Sequence, residues 1–466
     1  MTGEHTLSPQ DVVERALAAS TADGCIVRLD EGSQANLRWA GNTLTTNGLM
    51  RGRALTVVAT VGSGEGTAAG VVSTSHVDAD QILDVVRRAE KAARDSGPLE
   101  DAQPFITGTP SATDWADPAV ETSTSVFAEF APQLGEALRA ARAEGRELFG
   151  FAEYDVTTTY LASSAGLRLR HVQPTGKVEI TGKSHERSRS TWVGAATRDF
   201  SDIDVPALDA EITRRLAWSD RRIELDAGRY DTILPPGAVA DLMIYAYWSA
   251  AGRDAEDGRT VFSRPGGGTR VGERLSDRAL TMSSDPTYPG IECRPFVADT
   301  SSSAASSVFD AGLPLERTEW IREGELASLL QTRHSAQLSG LPLTPGIDNL
   351  ILADGAATGS VEDLVAATDR GLLLTCLWYI REVDPQTLLL TGLTRDGVHL
   401  VEGGEVVGTV TNFRFNESPI DLLGRVQPAS ESVGCLPREW SDYFTRTSMP
   451  ALRVEGFNMS SVSQAS

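Results

Sequence analysis

The sequence has little of what most catalytic signatures are built from. Histidine is scarce: six in 466 residues, at positions 5, 76, 171, 185, 334 and 399. None is three to five residues from another, and none falls between His185 and His334. No helix in that interval can present two imidazoles to zinc. The four cysteines, Cys25, Cys293, Cys376 and Cys435, are scattered, with no CxxC. That spacing fits free thiols in a reducing cytoplasm better than a disulfide framework. A GxSxG elbow is absent, and no cysteine sits beside an obvious base. "GSGEG" at 62–66 and "RPGGGT" at 264–269 lack the Gly-Lys-Ser/Thr end of a phosphate loop, so a hairpin turn and a flexible loop are expected there. The arginines flanking the second are suited to a carboxylate.

Long apolar runs are missing too, which excludes a membrane-spanning helix of ordinary length. The opening residues, MTGEHTLSPQ, have neither a basic nor an apolar leader segment, so a cytoplasmic location is expected. Basic residues are outnumbered, 42 against 64 acidic, for a formal charge of −22. Affinity for phosphate backbones comes largely from Lys and Arg, so nucleic acid is not an expected partner. "HERSRS" at 185–190 is a short local basic run, and it reads as a solvated loop or strand edge.

What is present is clear punctuation. "LSPQDVVERALAAS" offers Ser8 as a helix cap and Pro9 at the first helical position, with Val12, Val13, Ala16 and Leu17 on one face. Strand-like pieces follow. "DADQILDVVRRAEKAARDSGP" then predicts a helix capped by Asp78, buried through Ile82, Val85, Val86 and Ala89, and stopped by Gly97-Pro98. After a Pro- and Asp-rich connector at about 104–120, the same order recurs. A helix is expected over 124–145, with a break at Pro132. Three strand-like pieces and a helix at "VPALDAEITRRLAWSD" complete the second unit. Two related helix–strands–helix units therefore form an N-terminal α+β domain, residues 1–225.

Beyond residue 226 the texture changes to short strands and glycine turns. Gly403-Gly404 between apolar runs signals a hairpin. A sheet-rich, barrel-like C-terminal domain, residues 226–466, is expected. The fold class is α+β.

One stretch stands out. PPGAVADLMIYAYWSAAG, residues 235–252, predicts a helix with Pro at its start, an apolar face through Leu242, Met243, Tyr245 and Trp248, and Asp241 as its only charge. The C-terminal half resembles the TldD/PmbA metallopeptidase family, in its TldE (PmbA) branch. The resemblance is carried by "PGIECRPFVADTSSSAASSVFDAG", "WIREGELASLLQTRHSAQLSGLPLTPGIDNLIL", "GLLLTCLWYIREVDPQTLLLTGLTRDGVHLVEGGEVVGTVTNFRF" and "PALRVEGFNMSS", in that order over roughly 226–460.

In that family a TldD-type subunit carries HExxxH on the helix after a Pro-Gly entry, and a cysteine near the C-terminus; together they bind zinc. Counting back from "GRTVFS", the resemblance puts the first His on Met243, the Glu on Ile244 and the second His on Trp248. Those side chains can neither hold zinc nor take a proton from its water. They are expected to face a cleft or a partner instead. Cys435 falls near the family's cysteine and is the one thiol to watch. The resemblance implies a non-catalytic subunit with no zinc of its own, paired with a TldD-type chain that holds the metal. The pair would cleave peptides and process precursor peptides. A self-associating, catalytically dead peptide-binding protein and an enzyme of other chemistry using Cys435 are the competing readings.

Overall fold

The computed structural model describes residues 7–62 and 64–463; His5 and Ser63 lie outside the described residues. Helix α1 (Pro9–Ala19) starts where its cap predicts: the Ser8 hydroxyl accepts the Asp11 N–H at 3.1 Å, and Val12, Val13 and Ala16 are buried. Strands β1 (Gly24–Ala40), β2 (Thr43–Val61) and β3 (Ala68–Thr74) follow as a meander. The glycine-rich stretch before β3 is a single turn of 3-10 helix at Gly64–Gly66. Helix α2 (Ala79–Asp95) is capped by the Asp78 carboxylate, which accepts the Gln81 N–H at 2.8 Å.

The helix expected over 124–145 is shorter. Thr124–Phe127 is a 3-10 turn, and α3 spans Phe130–Ala143. Pro132 sets this boundary: lacking an N–H, it fits only in a helix's first turn, where that group has no intrahelical acceptor. Strands β4 (Glu147–Ser163), β5 (Arg168–Ser184) and β6 (Arg189–Thr197) and helix α4 (Val205–Trp218) complete the second unit.

The two units form one antiparallel sheet in the order β3–β2–β1–β4–β5–β6, joined where β1 pairs with β4. Cys25, Val27 and Leu29 pack with α1 and α2, while Ala35, Leu37 and Trp39 pack with α3 and α4. These six share one parity along β1, so all four helices cover the same face. The other face turns toward the C-terminal half. Ile26, Leu161 and Leu169 anchor it there against Phe296, Val308 and Phe309.

The C-terminal half holds two further sheets. Their strands are β7 (Arg222–Ile223), β8 (Gly228–Leu234), β9 (Leu280–Ser284), β10 (Thr318–Arg322), β11 (Glu325–Leu326), β12 (Leu350–Asp354), β13 (Arg370–Leu374), β14 (Trp378–Asp384), β15 (Leu389–Leu393), β16 (Val398–Glu402), β17 (Glu405–Val410), β18 (Phe413–Glu417), β19 (Val426–Ala429), β20 (Val433–Cys435), β21 (Thr447–Met449) and β22 (Leu452–Val462). One sheet runs β11–β10–β9–β12–β21–β20. The other runs β14–β15–β18–β22–β8–β13–β16–β17–β7, with β19 beside β22. The architecture is α+β, as the sequence predicts, but the large sheet does not close into a barrel. Its path ends at β14 on one side and β7 on the other. Gly403 and Gly404 make the β16–β17 turn with φ of +58° and +83°. Two successive positive φ values are what a tight hairpin of matching twist requires. Among the described residues no helix is long and apolar enough to cross a membrane.

His399 on β16 is buried where α4 meets the large sheet. Its ring packs edge-on against Trp218 at 4.8 Å; Nδ1 lies 3.1 Å from Thr409 Oγ1, and Nε2 has no partner. Burial, with a smaller push from Arg215, lowers its pKa to about 3. In the unfolded chain it titrates near 6.5. Between those values the unfolded state takes up a proton that the folded state refuses, so stability falls on acidification. Wild type should lose about 2 kcal/mol more than His399→Gln between pH 6.5 and 4.5, and nothing extra above pH 7.5. Urea midpoints across that range decide it; parallel curves for the two proteins would refute the assignment.

Candidate functional site

The helix predicted from PPGAVADLMIYAYWSAAG forms as α5 (Pro236–Trp248), with Pro236 in its first turn. It is apolar nearly all round, and a helix of that kind must be enclosed. Residues 238–244, Ala246 and Tyr247 are buried. Met243 and Ile244 are fully buried within the C-terminal core, so neither faces a cleft. Trp248 keeps 41% of its surface exposed, with its ring edge-on to Trp440 at 5.1 Å.

The side of α5 that meets the strand bearing Cys435 is set by Gly237 and Asp241. A Cβ at Gly237 would lie 2.8 Å from the Leu436 carbonyl oxygen, so the backbones touch there. Asp241 is fully buried. Its carboxylate accepts the N–H groups of Glu439 (2.9 Å) and Arg438 (3.2 Å), and its carbonyl oxygen accepts the Trp440 indole N–H at 2.8 Å. Burial holds its pKa well above the usual carboxylate range, against the pull of those two N–H groups. A lone charge on an otherwise apolar helix had to be answered by internal donors. Which donors these are has no local sequence signal, because they lie about 200 positions away.

Cys435 sits on β20, the edge strand of its sheet. Its Sγ is 3.3 Å from Thr447 Oγ1. Burial, reinforced by the Asp241 charge, pushes the thiol up to about 12 despite the Thr447 hydrogen bond. Burial likewise raises Cys293 and Cys376 to about 12 and Cys25 to about 11. A thiol held protonated is a poor nucleophile. Zinc, which the family resemblance implies for a TldD-type chain, does not fit the donors around Cys435. The Asp241 carboxylate is committed to two backbone N–H groups, and the group at hydrogen-bond distance from the sulfur is the Thr447 hydroxyl, a poor zinc donor. Among the described residues no three His, Cys, Asp or Glu side chains form a set that would hold a metal ion.

Beyond Cys435 the chain crosses between the two halves as a strap. The Arg438 guanidinium lies 3.7 Å above the Trp378 ring and 5.5 Å from Trp192 on β6. The Glu439 carboxylate accepts the N–H groups of Tyr379 (2.9 Å) and Ile380 (3.1 Å). The Ser441 hydroxyl donates to Glu179 on β5 at 2.9 Å, and Lys177 pairs with Asp442. Where the strap returns into β21, a cleft of about 410 Å³ opens between β5–β6 and β20–β21, lined by Gly176, Ala196, Gly290, Gly434, Cys435 and Arg446 among others. The arginines of the "RPGGGT" turn face no such cleft; Arg264 and Arg270 both bind Glu273 of the same loop.

Residues 227–461 match the model of the PmbA/TldA metallopeptidase C-terminal domain. No curated protein sequence matches the chain. Among solved structures, TldE from Thermococcus kodakarensis superposes with a TM-score of 0.77 at 16% identity, over 96% of this chain and 99% of that one. A Thermotoga maritima protein described as a proposed modulator of a DNA gyrase gives 0.75 at 16% identity, over 96% and 99%. A Bacteroides thetaiotaomicron protein of the same description gives 0.72 at 14%, over 97% and 98%. At these identities the likeness is one of fold.

Proposed function

The chain belongs to the PmbA/TldA metallopeptidase family, and from that premise we propose that it is a TldE-like, non-catalytic subunit of a two-chain zinc peptidase. The metal and the proton-accepting Glu reside in a TldD-type partner, and the pair cleaves peptides, precursor peptides included. A reducing cytoplasm is the compartment this reading assigns.

One observation carries it. No His or Glu lies in residues 235–252, and the side of α5 turned to Cys435 offers only Gly237 and a carboxylate already committed to two N–H groups. The reading that makes Cys435 a nucleophile has the raised thiol against it.

The test compares the tag-free lone chain with the chain co-expressed with a TldD-type partner. The lone chain should bring substoichiometric zinc through dialysis and leave unstructured peptides intact. The complex should cleave them and lose that activity to a chelator. Stoichiometric zinc and chelator-sensitive cleavage in the lone chain would overturn the proposal. So would a complex that cleaves nothing.

A further inference from the structure

The cleft between β5–β6 and β20–β21, which Cys435 also lines, holds a cation that pairs with no carboxylate among the described residues. Arg446 lines it, half-buried. Its Nη1 donates to Thr175 Oγ1 at 3.0 Å and its Nε to the Asp348 carbonyl oxygen at 2.9 Å, both uncharged acceptors. The acids nearby are engaged elsewhere. Glu292 pairs with Arg198, Asp202 accepts the Thr197 hydroxyl, and the Asp348 carboxylate lies 3.7 Å from Arg294. Among the described residues no carboxylate forms an ion pair with Arg446. A guanidinium has five N–H donors in a planar fork matched to a carboxylate, so most of this one's capacity is unclaimed. In a chain of net charge −22, a half-buried cation left this way is set up to receive an anion.

The walls say what kind of anion. β20 is the last strand of its sheet, and a Cβ built on its central residue, Gly434, would meet nothing within 4 Å. The same is true of Gly290 across the cleft. β6 is the last strand of the N-terminal sheet. Its Trp192 carbonyl points away from β5 and accepts Arg215 Nη1 at 2.9 Å. By alternation, Gly194 and Ala196 also turn their backbone groups outward, and Ala196 lines the cleft. Sheet edges with open space above them bind extended backbone.

We propose that this cleft binds a carboxylate-bearing extended peptide, with Arg446 receiving the carboxylate and the free edge of β20 the adjoining backbone. The proposal rests on the reading that the chain works on peptides, and it adds a binding site on the non-catalytic subunit itself. The carboxylate is either the C-terminus or an acidic side chain.

Fluorescence anisotropy of the lone chain with three short labelled peptides separates these. One is neutral with a free C-terminus, one is neutral and amidated, and one is amidated with a single Glu. The free acid or the Glu peptide should bind about tenfold or more tightly than the neutral amide. Whichever of the two does so identifies the source. Arg446→Gln should abolish the difference, and Arg446→Lys should restore part of it. The wild-type comparison stands even if a variant fails to fold. Equal binding of all three peptides, no binding of any at millimolar concentration, or an undiminished preference in Arg446→Gln would overturn the proposal. Cleavage by the assembled complex is read in parallel. A complex that cleaves while the lone chain ignores the carboxylate sinks only the cleft. A complex that cleaves nothing while the carboxylate preference holds sinks only the subunit reading.

Discussion

Asp241→Ala should destabilise the lone chain by about 2–5 kcal/mol, the largest effect expected of any single substitution in the site. Asp241 is fully buried, and its two oxygens are the acceptors for the N–H groups of Arg438 and Glu439. Truncation leaves both donors facing a dry void, at about 1–3 kcal/mol for each unsatisfied group. Asp241→Asn keeps the volume but supplies one acceptor only, and its NH₂ group faces the second N–H. It should cost roughly half as much by the same reasoning. Urea unfolding of the three proteins gives the order directly. An alanine variant within about 0.5 kcal/mol of wild type would mean that the strap is not held by α5. The strap links Trp192 and Glu179 of the N-terminal sheet to Trp378 of the large sheet. Its loss should therefore also loosen the contact between the two halves and shift proteolysis toward residues 436–446.

Trp248→Asp should weaken association with a TldD-type partner by roughly thirtyfold, the loss of about 2 kcal/mol expected when an anchoring Trp leaves an interface. Trp248 is the one of the three degenerate motif positions with an exposed surface, 41% of it. Trp440 and Phe444 support its inner edge at 5.1 and 6.4 Å. The lone variant should fold, with melting lowered by a few degrees for lost ring packing. Glu362→Lys, at an exposed position paired with Arg214 at 3.1 Å, serves as control, because a surface ion pair is worth about 1 kcal/mol at most. Unfolding of the lone Trp248→Asp chain would assign the residue to the core. Normal melting, pairing and cleavage would remove it from both core and interface.

Several features were legible because their causes are local. Ser8 and Asp78 cap their helices through residues three positions on, and Gly403-Gly404 makes its turn alone. The repeated helix–strands–helix order is likewise a matter of periodicity. The helix expected over 124–145 is shorter in the structure, and Pro132 itself carries that information. The barrel expectation failed for a different reason. Strand number and alternation are local, but closure depends on whether β14 and β7 meet, which no stretch of sequence encodes. Nothing local places Cys435 on a strand, because "SVGC" carries little β signal; β20 exists through pairing with β21, not through propensity.

The sequence by itself determined that α5 carries no imidazole, that its single charge is Asp241, and that no GxxxxGK[ST] phosphate loop and no CxxC are present. These are statements about composition and short spacing, and no fold can revise them. Tertiary structure decided the rest. It buried Met243 and Ile244 and left Trp248 half in solvent, because helix rotation is set by what packs around the helix. It brought Arg438 and Glu439 to Asp241, Glu179 to Ser441, and Thr175 to Arg446 across separations of about 200 residues or more. Such contacts are chosen by how three sheets close on one another, and a chain read residue by residue contains no term for that.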